Sequence, residues 1–158
     1  MTARVAVTGL GGITALGCEW RAIEARLHAR VNAVRYIPEW ERFTDLNSKL
    51  AAPIDGFETP AHWTRKQTRS MGRVSALAVA AAERALEDAG LVGDPLLASG
   101  AAGVACGSSI GSIPDIEDFA IMLLEGSAPG LNANSYVRMM PHTAAANISI
   151  FFGLQGRI

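Results

Sequence analysis

The sequence is poor in almost everything that would reveal a function by composition. Of its 158 residues only two are cysteines, Cys18 and Cys106, and their separation fits neither a disulfide framework nor a metal-binding spacing. Three histidines, His28, His62 and His142, show no paired spacing for a metal. No apolar run approaches the roughly 18 residues that a bilayer span requires, because the stretch Ala76 to Ala82 gives way to Glu83 and Arg84. Net charge is also small: 14 Lys+Arg against 15 Asp+Glu leave −1, so composition makes no case for nucleic acid or an anionic membrane as partner. Ala15-Leu16-Gly17-Cys18 invites a lipoprotein-signal reading, but Gly9, Gly11 and Gly12 interrupt the preceding stretch and Ala, not Leu, stands three residues before Cys18. A cytoplasmic protein is expected.

What is present is apolar. Hydrophobic residues make up 49% and charged ones 18%, and the mean hydropathy of +0.21 excludes intrinsic disorder. The length suits one domain or a piece of a larger one, and a chain of this size buries about 68–70% of its unfolded surface without covalent staples. The few charges are unevenly placed: residues 1–84 sum to +4 and residues 85–158 to −5.

Arg4-Val5-Ala6-Val7-Thr8-Gly9, rich in β-branched residues and ending in glycine, predicts a buried strand, followed by a glycine-punctuated turn to Gly17. A helix is expected over about residues 18–29, and Pro38, Pro53 and Gly56 divide residues 31–58 into loops and short strands. Thr59-Pro60 predicts a helix start, leading into a short basic helix. The strongest helical pattern covers about residues 70–89, with Met71, Val74, Ala78, Ala81, Ala82, Ala85 and Ala89 inward and Gly90 as the stop. So many inward alanines imply close backbone approach by a neighbour. Gly103-Val104-Ala105-Cys106-Gly107 predicts a second buried strand. Ser112 with Asp115 predicts a capping box for a helix to about Leu124, and a last helix is expected over about residues 142–152. This order argues for α/β layering with a sheet at least partly parallel.

Several features invite chemistry. Gly9-Leu10-Gly11-Gly12-Ile13-Thr14 after a strand suggests a dinucleotide loop, but Thr occupies the sixth position and the helix starts too late, which favours a structural turn. Cys106, in a strand interior, packs as a small hydrophobe, and Cys18 suits a surface position. His142 lies near a helix start and suits a surface or interface. Asn147-Ile148-Ser149 is a formal glycosylation sequon, but on a packed helix it is set aside. Arg65, Lys66, Arg69 and Arg73 form the strongest charge feature. Positions 65, 69 and 73 share a face if the helix is continuous, either solvated or able to dock an acidic partner.

Taken together, four segments carry a resemblance. Val5 to Gly17 resembles the opening strand and turn of β-ketoacyl-[acyl carrier protein] synthases. Ala80-Ala81-Ala82-Glu83-Arg84-Ala85-Leu86-Glu87-Asp88-Ala89-Gly90-Leu91 resembles their long central helix, and Gly103 to Gly111 their fourth strand and turn. Asn147 to Gly156 is similar to the helix that precedes their catalytic region. The resemblance is collinear and spans essentially the whole chain, residues 1–158. It implies a thiolase-like α/β fold, of which this chain would be most of the first half, a mixed sheet packed by helices.

By the same resemblance the intact protein would catalyse decarboxylative Claisen condensation of an acyl thioester with malonyl-acyl carrier protein, in fatty-acid or polyketide synthesis, without a cofactor or metal. The nucleophilic Cys would sit at a helix N-terminus, where the dipole lowers the thiol pKa, roughly seven residues beyond Ile158. No catalytic residue is expected within residues 1–158, and the chain alone is expected to be inactive, since condensation needs an acyl-thioester nucleophile and His donors. Ile110 matches the position that lines and gates the acyl pocket, and Met139 lies in the segment that walls the partner's pocket in the family's homodimer. Lys66 and Arg69 match basic positions that meet the acidic acyl carrier protein. A non-catalytic chain-length factor of the same fold, lacking the Cys, is the alternative, with a nucleotide-binding domain further behind.

Overall fold

The computed structural model describes residues 4–158. Among them the elements run α1 (Trp20–His28), β1 (Arg35–Tyr36), β2 (Leu50–Ala51), α2 (Arg65–Thr68), α3 (Arg73–Asp88), α4 (Ile113–Glu125), α5 (Ala133–Met139) and α6 (Thr143–Phe152), with 3₁₀ turns at Pro38–Arg42 and Pro95–Ala98.

Helix α3 is the centre. Its alanine-rich sequence has high helix propensity. Its end is a Schellman motif: Gly90, at φ +68°, donates to the Glu87 carbonyl, and Leu91 N–H donates to the Leu86 carbonyl. One face of α3 packs on α6. There Trp63, Ala76, Val79, Ala80 and Ile148 form the buried cluster, with Phe151 and Phe152 against it. Val79 is fully buried, worth about 1.5–3 kcal/mol for such a side chain. Trp63 stacks obliquely on Phe151 at 4.9 Å, and its indole N–H donates to Glu83 at 3.2 Å. A polar tie joins the segment leading into α3 to α6: Ser70 Oγ donates to Asn147 Oδ1 at 2.9 Å. Asn147 is buried, which bears out setting the sequon aside.

The buried face of α3 is rotated from the expected one. Ser75, Ala76, Val79 and Ala80 are buried, whereas Ala81, Ala82 and Ala85 are half-covered. The difference has a physical cause, because α3 has two neighbours. The alanine stripe meets the glycine turn: a Cβ at Gly9 would lie 2.7 Å from Ala89 N and 2.8 Å from Ala89 Cβ, and one at Gly11 would collide with the Ala81 carbonyl and Ala85 N. The close backbone approach implied by the alanines is present. Leu10 N–H donates to Asp88 Oδ2 at 2.9 Å, and Arg84 pairs with Glu19 at 2.5 Å and donates to the Cys18 carbonyl at 3.2 Å. Helix α3 thereby holds both the turn and the start of α1.

Four further expectations are corrected. Residues 4–9 and 103–107 form no strand and belong to no sheet, and Val5 and Val7 are 93% and 78% exposed rather than buried. An apolar strand is buried only when neighbours cover both faces, and none among the described residues does so. The observed sheet is the antiparallel pair β1–β2, inside the stretch read as loops and short strands. Residues 102–104 do run beside the chain's last residues, with Val104 N–H donating to Arg157 and Gly156 N–H to Ala102. Thr64, not Thr59, caps α2, in a reciprocal box with Gln67. Finally, α2 ends at Thr68 and α3 begins at Arg73, so positions 65, 69 and 73 do not form one helical stripe. Arg73 turns away, donating to the Ile54 carbonyl at 2.6 Å and lying over the Phe57 ring.

Gly11→Ala is expected to destabilise the protein by about 1–3 kcal/mol, because the methyl meets backbone that cannot step aside. Gly12→Ala, which enters open space, should leave the melting temperature nearly unchanged. Equal melting temperatures for the two variants would show that the glycine–alanine contact is not what holds the turn.

Candidate functional site

The residues expected to matter for function fall into two separate places. The first is the junction between the turn before α4 and the end of α5. Residues 101–108 alternate between exposed and half-buried, as an extended segment does. Ser108 Oγ then donates to the Ile110 carbonyl at 2.7 Å, tightening the turn. Ile110 is 42% exposed, and Met139 is half-buried. Gly111, next to Ile110, faces the carbonyls of Arg138 and Met139 so closely that no side chain fits between them. Ser112 N–H donates to the Arg138 carbonyl at 2.8 Å. The segments that carry Ile110 and Met139 are therefore brought together through their backbones.

Asp115 and Arg138 tie the same junction. Asp115, 5% exposed, receives Arg138 Nε at 3.0 Å on each oxygen and Arg138 Nη2 at 2.5 Å on Oδ1. Arg138 also reaches Ser135 Oγ at 3.4 Å. This corrects the expected capping box: Ser112 is the N-cap of α4 but makes no side-chain cap bond, and Asp115 serves the ion pair instead. Helix α5, which no expected element covers, supplies Arg138. Its signal was Asn132, whose side chain caps the helix in a box with Ser135. The Asp115–Arg138 partnership spans 23 positions, so no local spacing announces it.

The second place is α2. Lys66 and Arg69 are both exposed, Lys66 within the helix and Arg69 at its C-cap. They remain available to solvent, but on one short turn rather than a long stripe.

The remaining candidates lie apart from both places. Cys106 is half-buried against the core cluster, and Cys18 is exposed. His62 Nε2 lies 2.8 Å from Glu83 Oε1, the carboxylate that also holds Trp63. His142 is exposed at the N-cap of α6, and His28 is exposed in the last turn of α1. Among the described residues no group of three or more His, Cys, Asp or Glu could hold a metal, and no helix is long and apolar enough to cross a membrane. The glycine turn fits a structural role, since Leu10 N–H is engaged by Asp88 and the glycines face the side of α3 rather than a helix N-terminus. A groove of about 660 Å³ lies between this turn, residues 54–60 and α3, lined by Glu19, His62, Glu83 and Arg84 among others. Neither Ile110 nor Met139 borders it.

The family model for the β-ketoacyl synthase N-terminal domain matches residues 2–158. The chain belongs to the β-ketoacyl synthase family. Among curated relatives it is similar to 3-oxoacyl-[acyl-carrier-protein] synthase 2 of Vibrio cholerae, 29% identical over 157 residues that cover 97% of this chain and 36% of that one. It is also similar to nodulation protein E of Rhizobium leguminosarum bv. trifolii, 34% identical over 159 residues, covering 100% and 39%. The chain thus spans little more than a third of the length of these relatives. Among solved structures, a β-ketoacyl synthase from Burkholderia phymatum superposes with a TM-score of 0.91 at 55% identity, covering 96% of this chain and 37% of that one. The ishigamide ketosynthase/chain length factor shares the fold, with a TM-score of 0.69 at 24% identity. The fold is accordingly thiolase-like, as the resemblance implied.

Within this family domain the Asp115 carboxyl has the most perturbed setting described above. Hydrogen bonds from Arg138, and lesser ones from Ser112 and Ser135, hold it below the usual carboxylate range against the upward push of burial. A folded-state pKa below the unfolded value of about 3.9 contributes stability above that value, which is lost as pH falls through the depressed one. Melting temperature should therefore drop more steeply below about pH 4 in the wild type than in Asp115→Asn. Parallel acid limbs would remove Asp115 from the account.

Proposed function

We propose that this chain is the front portion of a condensing enzyme that extends an acyl group with a two-carbon unit from malonyl-acyl carrier protein. In this reaction a cysteine thiolate takes the acyl group from its thioester and releases the carrier thiol. Malonyl thioester then loses CO₂, and the resulting enolate attacks the acyl carbonyl and expels the thiolate. The product is a β-ketoacyl thioester, and the electron pair freed by decarboxylation forms the new carbon–carbon bond. The observation that carries this reading is the match of the family's N-terminal domain over residues 2–158. Relatives named 3-oxoacyl-[acyl-carrier-protein] synthase 2 support it further.

Ile110 gates the acyl pocket in this reading, and Met139 walls the pocket of the second copy in a homodimer. The closeness of their backbones through Gly111 couples the placement of the two walls. Lys66 and Arg69, exposed on and beside α2, meet the acidic carrier protein. No metal or cofactor takes part, and the enzyme works in the cytoplasm on fatty-acid or polyketide intermediates. The nucleophile lies beyond Ile158, so residues 1–158 alone do not condense. A chain-length factor would instead carry another residue at the position of that nucleophile.

The full-length natural gene product is expected to make β-ketoacyl thioester from acyl- and malonyl-acyl carrier protein, while residues 1–158 alone make none. Turnover by residues 1–158 alone would overturn the assignment of the nucleophile, and a full-length product without turnover would overturn the function. Charge reversal at Arg69 in the full-length product should weaken carrier-protein binding a few-fold at low salt, as loss of an exposed pair worth about 0.2–1 kcal/mol implies. The effect should fade as salt rises; unchanged low-salt affinity would exclude Arg69 from docking.

A further inference from the structure

We propose that the Asp115–Arg138 ion pair is a positioning bracket that fixes the turn bearing Ile110 against the end of α5 bearing Met139, and thereby sets which acyl lengths are accepted. The inference rests on the acyl-pocket reading given above. Arg138 grips one short segment twice. Its main-chain carbonyl accepts from Ser112 N–H at 2.8 Å, and its guanidinium donates to both oxygens of Asp115, three residues further on. Ser112 is two residues from Ile110, and Arg138 is adjacent to Met139. Between these grips, Gly111 lies against the Arg138 and Met139 carbonyls with no room for a side chain.

The geometry gives the bracket its stiffness. A guanidinium fork on a carboxylate fixes distance and plane together, which a single flexible ammonium does not. The Asp115 side chain is 7% exposed and that of Arg138 22%, so solvent screens the pair weakly. Arg138 also reaches Ser135 Oγ on the previous turn of its own helix, which orients the guanidinium. Neither charged residue is proposed to touch acyl substrate. Their role is to hold Ile110 in place in its own pocket and Met139 in place against the pocket of the second copy. A small shift of either wall changes how many methylenes fit, and apolar pockets discriminate on the scale of single methylenes.

The test uses the full-length natural gene product and compares kcat/KM for a short and a long acyl thioester. Arg138→Met and Asp115→Asn should each change the long-to-short ratio on the order of tenfold. The double variant should do no more than either single one, because both remove the same pair. Arg138→Lys keeps the charge without the planar fork and should recover only part of the wild-type ratio. If Arg138→Met does not fold, Asp115→Asn and Arg138→Lys decide on the same ratio. A uniform fall in kcat/KM at both lengths, or an unchanged ratio in folded variants, would overturn the bracket. Ile110→Ala separates this failure from failure of the pocket reading: if it shifts the ratio and the bracket variants do not, only the bracket is wrong. If Ile110→Ala and the bracket variants all leave the ratio alone, the pocket assignment falls too, and absence of turnover by the unaltered protein brings down function and bracket together.

Discussion

The contact on which the rest of the structure depends is the one between two backbones, where Gly9 and Gly11 lie on the alanine stripe of α3. Large side chains take no part in it. Its strength comes from many short-range dispersion contacts, which are individually weak and lose about a quarter to a half of their attraction if the surfaces separate by about 0.5–1 Å. That geometry demands glycine on one side and alanine on the other. It also lets Asp88 and Arg84 reach the turn and the start of α1 with hydrogen bonds of ordinary length. The opposite face of α3 uses different physics, with Val79, Trp63 and Ile148 burying apolar area against α6. One helix thus anchors the front of the chain by shape and the back of it by hydrophobic burial.

The junction at Ile110 and Met139 is built in a third way. Its walls are apolar, but a main-chain hydrogen bond, a glycine contact and a buried ion pair set their placement. Such a buried pair is seldom a net source of stability, because desolvating two charges offsets much of their attraction. Its value is geometric, since a wrongly placed wall would leave a charge unsatisfied. The groove of about 660 Å³ beside the glycine turn is lined by ionisable groups and has a different character. In the proposed function the acyl chain lies against the apolar residues 110 and 139 instead.

Local signals made much of this legible from residues alone. The end of α3 followed from the glycine past its last turn, and the alanine–glycine approach followed from small residues at helical spacing. The rotation of α3 was not legible, because Val79 and Ala80 bury against a helix about 70 residues away in sequence while the alanine stripe serves another neighbour. Periodicity reports that a face exists, but two competing faces blur it. Helix α5 escaped because seven residues are too few to display a helical period, and only Asn132 marks its start. The role of Asp115 escaped for the opposite reason: a plausible local partner in Ser112 masked a distant one in Arg138. The segments at 4–9 and 103–107 read as buried strands, but an apolar run does not say which neighbours cover it, and among the described residues neither joins a sheet.

The sequence separations have a consequence for biosynthesis. Leu10 and Asp88 are 78 positions apart, and Ser70 and Asn147 are 77 apart. On a ribosome adding about 5–20 residues each second, the glycine turn emerges about 4–16 s before the helix that holds it. That helix then waits a similar time for α6. Non-local contacts of this kind slow folding and prolong exposure of apolar segments. The nascent chain therefore carries its first apolar residues uncovered until α3 has emerged, and chaperone occupancy during translation bears directly on how much of it reaches the native state.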